Sequence, residues 1–572
     1  MKILGIHDGH NASACLMENG KLKYLIQEER VCCEKNKSGF PFKSVELIFK
    51  KTGLSFNDID VVGMNGTYMP PPADRKETLD YYKSLLKGNS LVKKNLIKNR
   101  LKNISLIAGP YEKKNRERRL KILKKLGADI SKVEFIDHHT LHAAAAYYGN
   151  GDFENDILVL TNDGAGDRLC ATVNVFSKGK MERIASVHEN HSIGIMYAIF
   201  TFLTGMVPLE HEYKIMGMAP YAHKAGSQKI TKEFWDMFEF SDDGLTWEFK
   251  EGYSVFGSMD YFKDFMFLKR FDYLMAGLQF FTEEFLVHWV KSCIKKTGIR
   301  RIALSGGTFM NVKADKLIME LEEVEKIFVF PSCGDESNPV GACYYLEAKE
   351  NGTKNLEKLE DVYLGISYTG DEIKNAYTNY PFKSKYQITH YENIEEQVAK
   401  ILASNSVVAR FKGREEFGAR SLGNRAIIAN PSAPEIIKEI NEMIKNRDFW
   451  MPFASSILDT DYHKYIITSC KNAPYYMIMT FDTKKEADEI KGGIHPYDRT
   501  VRPQLVIQKH NPSYWNLINE FKKITGIGGI LNTSLNLHGL PLVHTPEDAF
   551  HVLENSNLKY LAIENYLIQK VG

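Results

Sequence analysis

The sequence predicts an α/β protein of two domains, the first built from a duplicated strand and loop unit, and three observations lead there. Its 572 residues exceed the size at which a single hydrophobic core stops growing. Hydrophobic residues make up 44% and charged residues 26%, enough to bury sizeable cores and unlike a disordered or collagen-like chain. A hairpin with a polar loop at its mouth occurs near residue 3 and again near residue 157.

Composition also removes some function classes. Lys and Arg total 74 against 72 Asp and Glu, a net charge of +2, so no global electrostatic case exists for nucleic acid or membrane. The eight cysteines form no CxxC pair, and residues 2–6 show no leader-like pattern. A reducing, cytoplasmic setting is therefore expected. Residues 192–209 are eighteen uncharged residues, close to a membrane span in length. Their Ser, Gly, Thr and Pro content, with His and Glu on both sides, predicts a buried helix and no membrane association instead.

In chain order, residues 3–6 read as a strand, 7–11 as a polar loop, 12–17 as a strand, Asn19-Gly20 as a hairpin turn and 22–26 as a third strand. Residues 83–125 then carry fifteen Lys and Arg with only Glu112 and Glu117 in opposition. They lack interleaved aromatics for base stacking, so solvated helix faces are expected and nucleic acid is not. The alanine-rich run 136–147 favours helix. Residues 157–187 repeat the first pattern, with the loop 162–167 and a Lys178-Gly179 turn. Two further strands, 302–304 and 328–330, lead into the loops Ser305-Gly306-Gly307-Thr308 and 331–336. Each loop precedes a helical run, 311–323 and 339–349. Glycines after a strand let a ligand approach the backbone closely.

A polar stretch at 347–359 marks a linker near residue 350, giving domains at 1–350 and 360–572. The second domain reads as α/β or α+β, with strand-like runs at 407–411, 476–480 and 528–531 and helical runs at 395–403, 434–445 and 512–523.

Chemistry concentrates in two places. His138 and His142, at i and i+4, share one helix face and can converge on one metal ion, with His139 as an alternative partner for His142. No Glu stands where an HExxH protease needs its base. Asp163 and Asp335, on two acidic loops, would complete a set of two imidazoles and two carboxylates, ligation suited to iron or another first-row divalent ion. In the second domain, eight cations between Arg410 and Arg447 are interspersed with Gly413, Gly418 and Gly423. Guanidinium forks on such loops suit a compact phosphorylated ligand. The segments 495–502 and 531–536 set polar groups beside apolar strands, as a pocket would.

Taken together, these segments resemble the O-carbamoyltransferase family, which includes the nodulation-factor enzyme NodU and tailoring enzymes of the tobramycin and cephamycin pathways. The matching stretches are GIHDGHNASACLMENGK, QEER at 27–30, HHTLH, LTNDGAGD, EHEYKIMGMAPY, LSGGTFMN, GREEFGARSLGNRAIIANP, IKNRDFWMPFASSIL and LNTSLNLHGLPLVHTPEDA. Two departures stand out: Met451 where the family usually has Arg, and FGARSLGNR where FGPRALGNR is common.

The resemblance implies a duplicated actin-like (ASKHA) nucleotide-binding domain followed by a YrdC-like domain. It implies that Lys445, Arg447 and Arg502, with Arg414 or Arg420, bind carbamoyl phosphate, with Asn532 beside them. Attack of the released carbamate on ATP, carried with Mg²⁺, would give carbamoyl-adenylate. The nucleotide would lie against Asn11, Lys214, Gly217, Ser305, Gly306, Gly307 and Asn311. A metal ion, Fe²⁺ in the expected form, would sit on His138, His142, Asp163 and Asp335, and His10 would serve the acceptor hydroxyl as base or orient the adenylate. The acceptor is expected to be a small molecule, a natural product or sugar, met by variable loops such as 65–87 and 234–272. A homodimer is a further expectation. Two rival readings are a tRNA threonylcarbamoyl-transfer enzyme and a non-catalytic actin-like nucleotide sensor.

Overall fold

A computed structural model describes residues 1–69, 73–86, 105–433, 435–445, 447–468, 471 and 475–571. Part of the basic block, residues 87–104, lies outside the described residues, as do Asn446 and Cys470. The chain forms two compact units, one of Met1–Glu28 with Asn36–Leu359 and one of Glu29–Lys35 with Glu360–Gly572. The polar stretch that reads as a linker is helical up to Asn351 and stays with the first unit to Leu359.

Unit 1 contains the duplication. Strands β1 (Lys2–His7), β2 (Ser13–Glu18), β3 (Lys21–Gln27), β4 (Val61–Asn65) and β5 (Val133–Ile136) form a sheet of order β3-β2-β1-β4-β5. Strands β6 (Ile157–Gly166), β7 (Leu169–Ser177), β8 (Lys180–His188), β11 (Arg301–Ser305) and β12 (Lys326–Val329) repeat it as β8-β7-β6-β11-β12. In both sheets the first three strands are antiparallel and the last two run parallel to the first. This is the duplicated actin-like arrangement that the resemblance implies. Both hairpins close through two residues at positive φ, Asn19 and Gly20 in one and Lys178 and Gly179 in the other. Such turns match the twist of the flanking strands.

The helices His138–Asn150 and Asn338–Asn351 follow the last strand of each sheet and pack on each other. Their sequences permit an unusually close approach. A Cβ on Gly341 would stand 2.0 Å from the Leu141 carbonyl oxygen, and Ala143 to Ala146 are fully buried. The beginnings of both helices, and the loops that lead into them, are thereby brought together.

Between β8 and β11 lie the helices Ile193–Leu203, Glu212–Met218, Lys224–Trp235 and Phe271–Thr297, with a ribbon of β9 (Phe238–Phe240) and β10 (Trp247–Phe249). The uncharged stretch 192–209 is helical only over Ile193–Leu203, where Ser192 accepts from the Ile195 amide as its N-cap. No helix among the described residues is long and apolar enough to cross a membrane.

Unit 2 is an eight-stranded sheet of order β13-β20-β19-β14-β15-β18-β16-β17. Its strands are β13 (Tyr386–His390), β14 (Val408–Phe411), β15 (Arg425–Ala429), β16 (Ala454–Leu458), β17 (Gln504–Val506), β18 (Gly529–Ser534), β19 (Tyr560–Ile563) and β20 (Tyr566–Lys570). The helices Ile394–Ala403 and Pro512–Thr525 form as expected, capped by Asn393 and Asn511. Two expectations fail. Residues 476–480 form no strand, because Met477 sits at φ 58, outside the extended region. Of the run expected at 434–445, the described residues 435–445 are α-helical only over Ile436–Ile440 and end in a π turn, Asn441–Lys445.

Candidate active site

His138 is the first residue of its helix, and Asp137 caps that end by accepting from the Thr140 amide at 2.8 Å. One turn on, His142 places its Nε2 3.1 Å from that of His138. Asp163, near the end of β6, brings Oδ2 to 3.4 Å from His138 Nε2. Asp335, on the loop after β12, brings Oδ1 to 3.4 Å from His138 Nε2 and 3.5 Å from His142 Nε2. One ligand atom from each of the four residues lies within 4.8 Å of all the others.

The donor chemistry fits a divalent cation. Two imidazole nitrogens and two carboxylates converge in a buried site, and an ion between them would offset both negative charges and both facing lone pairs. The electrostatics without an ion point the same way. Burial works against a charge on His138, but the carboxylates of Asp335 and Asp163 outweigh it and lift the imidazole to about 9. Burial likewise opposes ionisation of Asp163, yet the neighbouring histidines hold it well below the usual carboxylate range.

The glycine loop after β11 supports this set. The Gly307 amide donates to Asp163 Oδ1 at 2.8 Å, leaving Oδ2 for His138. Ser305 Oγ is 3.3 Å from His142 Nδ1. Gly306 has φ 103, and a Cβ there would lie 2.3 Å from the Asn162 carbonyl oxygen, so a side chain does not fit. Asn311 caps the next helix by accepting from the Ala314 amide and exchanges hydrogen bonds with Gln279. Lys214 and Gly217 lie on the helix Glu212–Met218 rather than on the sheet loops.

Several groups at this site escape a reading by spacing. His7, at the end of β1, is fully buried, its Nε2 2.7 Å from the His10 carbonyl oxygen and 3.7 Å from Asp335 Oδ2. It therefore links the metal-type cluster to the loop that carries His10 and Asn11, the latter at φ 56. Asp167 accepts from the amides of His138, Thr67 and Tyr68 at 2.6 to 2.9 Å and so fixes where the histidine helix begins. Asp8 pairs with Arg119 through two hydrogen bonds of 2.7 and 2.8 Å, and Arg119 also donates to the carbonyls of Asn65 and Gly66. Arg119 belongs to the basic block, where solvated faces are expected. It is instead 1% exposed, because a carboxylate and two carbonyls replace its water. Asp8 and His7 both stand in the HDGH loop, the only sequence signal that points to them.

In unit 2, Lys445 and Arg447 meet the end of β18 and its following loop. Lys445 Nζ donates to the Ser534 carbonyl and Asn536 Oδ1, both at 2.5 Å, while Arg447 donates to Thr533 Oγ1 at 2.9 Å and lies over the Phe453 ring. Burial, with Arg447 and Lys35 nearby, pushes the Lys445 ammonium well below its ordinary value. Asn532 donates to the Ser421 carbonyl and Ser456 Oγ, both at 3.0 Å. Arg420 and Arg502 are half-buried.

The other cations of this region bind the protein itself. Arg410 donates to the Gly423 carbonyl and Asn424 Oδ1, and Arg425 to the carbonyls of Gly413 and Ile366. Arg414 gives Nε and one Nη to the carbonyls of Gly365 and Leu364. Glu416, which residue spacing does not single out, gathers the loop by accepting from the amides of Leu422, Asn424 and Arg425. Beside it, Glu415 joins Arg30 at 2.7 Å and His544 at 2.6 Å.

Two family models match the chain, "Carbamoyltransferase N-terminus" over residues 2–344 and "Carbamoyltransferase C-terminus" over residues 399–570. Among similar proteins, MJ1058 of Methanocaldococcus jannaschii is 30% identical over 77% of this chain and 74% of its own length. The nodulation protein NolNO of Sinorhizobium fredii is 26% identical, covering 98% of this chain and 79% of its own. MJ1051 of Methanocaldococcus jannaschii is 28% identical over the full length of both. Among solved structures, full-length HypF in its phosphate- and nucleotide-bound form aligns at 13% identity and a TM-score of 0.37, over 61% of this chain and 56% of that one.

Proposed function

Since the chain belongs to the carbamoyltransferase family, with both of that family's parts present in order, we propose that it is an ATP-dependent O-carbamoyltransferase. In this reading it forms carbamoyl-adenylate from carbamoyl phosphate and ATP and passes the carbamoyl group to a hydroxyl of a small-molecule acceptor, a natural product or sugar. The observation that carries the reading is the convergence of His138, His142, Asp163 and Asp335, with ligand atoms within 4.8 Å, from both copies of the duplicated unit.

In unit 2, Lys445 and Arg447, with Arg502 and Arg414 or Arg420, bind the phosphate of carbamoyl phosphate and stabilise it as water cleaves the mixed anhydride to carbamate and inorganic phosphate. An oxygen of the released carbamate attacks the α-phosphorus of ATP, and pyrophosphate departs. In unit 1, the loop Ser305 to Gly307, with Asn11, Asn311, Lys214 and Gly217, lines the nucleotide. His138, His142, Asp163 and Asp335 would hold a divalent ion, Fe²⁺ in this reading, which when bound supplies positive charge for the nucleotide phosphates. His10 takes the proton of the acceptor hydroxyl as its oxygen attacks the carbamoyl carbon and AMP leaves.

The test is pyrophosphate release from ATP by the purified protein with and without carbamoyl phosphate. Release only in its presence is expected, and ATP turnover indifferent to carbamoyl phosphate would contradict the reading.

A further inference from the structure

We propose that Asn65 is a positioning residue that fixes opposite tautomers of His7 and His138, tying the metal site to the loop that carries His10. The proposal rests on the metal-site reading above.

Asn65 ends β4 and is fully buried. Its side chain stands between two imidazoles, with Nδ2 2.5 Å from His7 Nδ1 and 3.3 Å from His138 Nδ1. Its Oδ1 is buried and has no hydrogen-bond partner. An orphaned amide oxygen in so dry a place costs free energy and calls for an acceptor role.

The two rings make different demands. His7 Nε2 meets the His10 carbonyl oxygen at 2.7 Å, and a carbonyl only accepts, so Nε2 carries the hydrogen and Nδ1 offers a lone pair. That lone pair needs a donor, which Asn65 Nδ2 is. His138 directs Nε2 at His142, Asp163 and Asp335, so a metal-binding Nε2 must be bare and Nδ1 must carry the hydrogen. That N–H needs an acceptor, whereas in the structure Asn65 turns Nδ2 toward it and leaves Oδ1 unpaired. A primary amide supplies one donor group and one acceptor group, and in this proposal it turns about χ2 when the metal binds, so that Nδ2 stays with His7 and Oδ1 replaces it at His138. Asp cannot donate and Leu can do neither. The main chain of Asn65 is held separately, its carbonyl accepting from Arg119 at 2.5 Å, so the side chain can be altered without releasing β4.

Two measurements test this. The first is titration of metal-free protein with Co²⁺, read by its visible absorption. Asn65→Leu should weaken binding about 10–100-fold, the usual effect of losing an outer partner of a ligating histidine. Asn65→Asp, which keeps an acceptor for His138, should bind within a few-fold of wild type. The second needs no variant: nitrogen NMR of ¹⁵N-histidine-labelled, Zn²⁺-loaded protein should report His138 with hydrogen on Nδ1 and His7 with hydrogen on Nε2. Wild-type affinity and spectrum in a folded Asn65→Leu would overturn the proposal while leaving the metal site standing, as would the reverse tautomer at either ring. Failure of the wild type to bind Co²⁺ would overturn the metal site and this proposal with it.

Discussion

Arg119 and Asp8 form a buried pair, so the cost of breaking it falls mainly on the partner left behind. Asp8→Ala leaves a guanidinium 1% exposed with only the carbonyls of Asn65 and Gly66 to hold it. A loss of about 3–5 kcal/mol is expected, seen as a lowered urea midpoint. Glu415 contributes to the pH dependence of unit 2. Burial opposes its charge, but His544 and Arg30 hold it at about 2, below its ordinary 4.5. A carboxylate depressed on folding contributes stability above its unfolded value, and that stability is lost as pH falls through the folded one. Unit 2 should therefore lose on the order of 3 kcal/mol between about pH 5 and pH 2. Unfolding midpoints across that range check this, and Glu415→Gln should flatten the dependence. At this scale, charge partners are what sequence conceals. His138 and His142 are legible from their spacing, but nothing in spacing tells that Arg410 and Arg425 grip carbonyls, or that His7 lies behind His10.

The helices His138–Asn150 and Asn338–Asn351 decide whether the ligands meet, and their contact is set by small residues. Gly341→Leu would drive a side chain into the Leu141 carbonyl, where even a Cβ would come to 2.0 Å. The two helix starts should then separate, so this variant is expected to lose bound divalent metal while His138, His142, Asp163 and Asp335 are all intact. Metal analysis of the folded variant against wild type checks the point, and unchanged content would show that the helix contact does not position the site. Much of this level is readable beforehand: the Asn19-Gly20 and Lys178-Gly179 turns and the alanine run each encode local backbone geometry. The strand expected at 476–480 fails because a β-like composition says nothing of the left-handed conformation at Met477.

For the whole molecule, the duplication is visible in sequence because each copy repeats a hairpin with a turn signature, while the strand order that the two sheets share emerges only in the structure. The assignment of residues 29–35 to the second unit is not visible, since it depends on Arg30 finding Glu415 nearly four hundred residues away. The proposed reaction divides the labour, with activation in unit 2 and transfer in unit 1. It is tested most directly by following pyrophosphate release and acceptor carbamoylation in the same assay for Arg447→Ala and His10→Asn. Arg447→Ala is expected to lose both steps, whereas His10→Asn should still release pyrophosphate but slow transfer by about 10²–10⁴-fold. Equal loss of both steps in His10→Asn, or retained pyrophosphate release in Arg447→Ala, would contradict it.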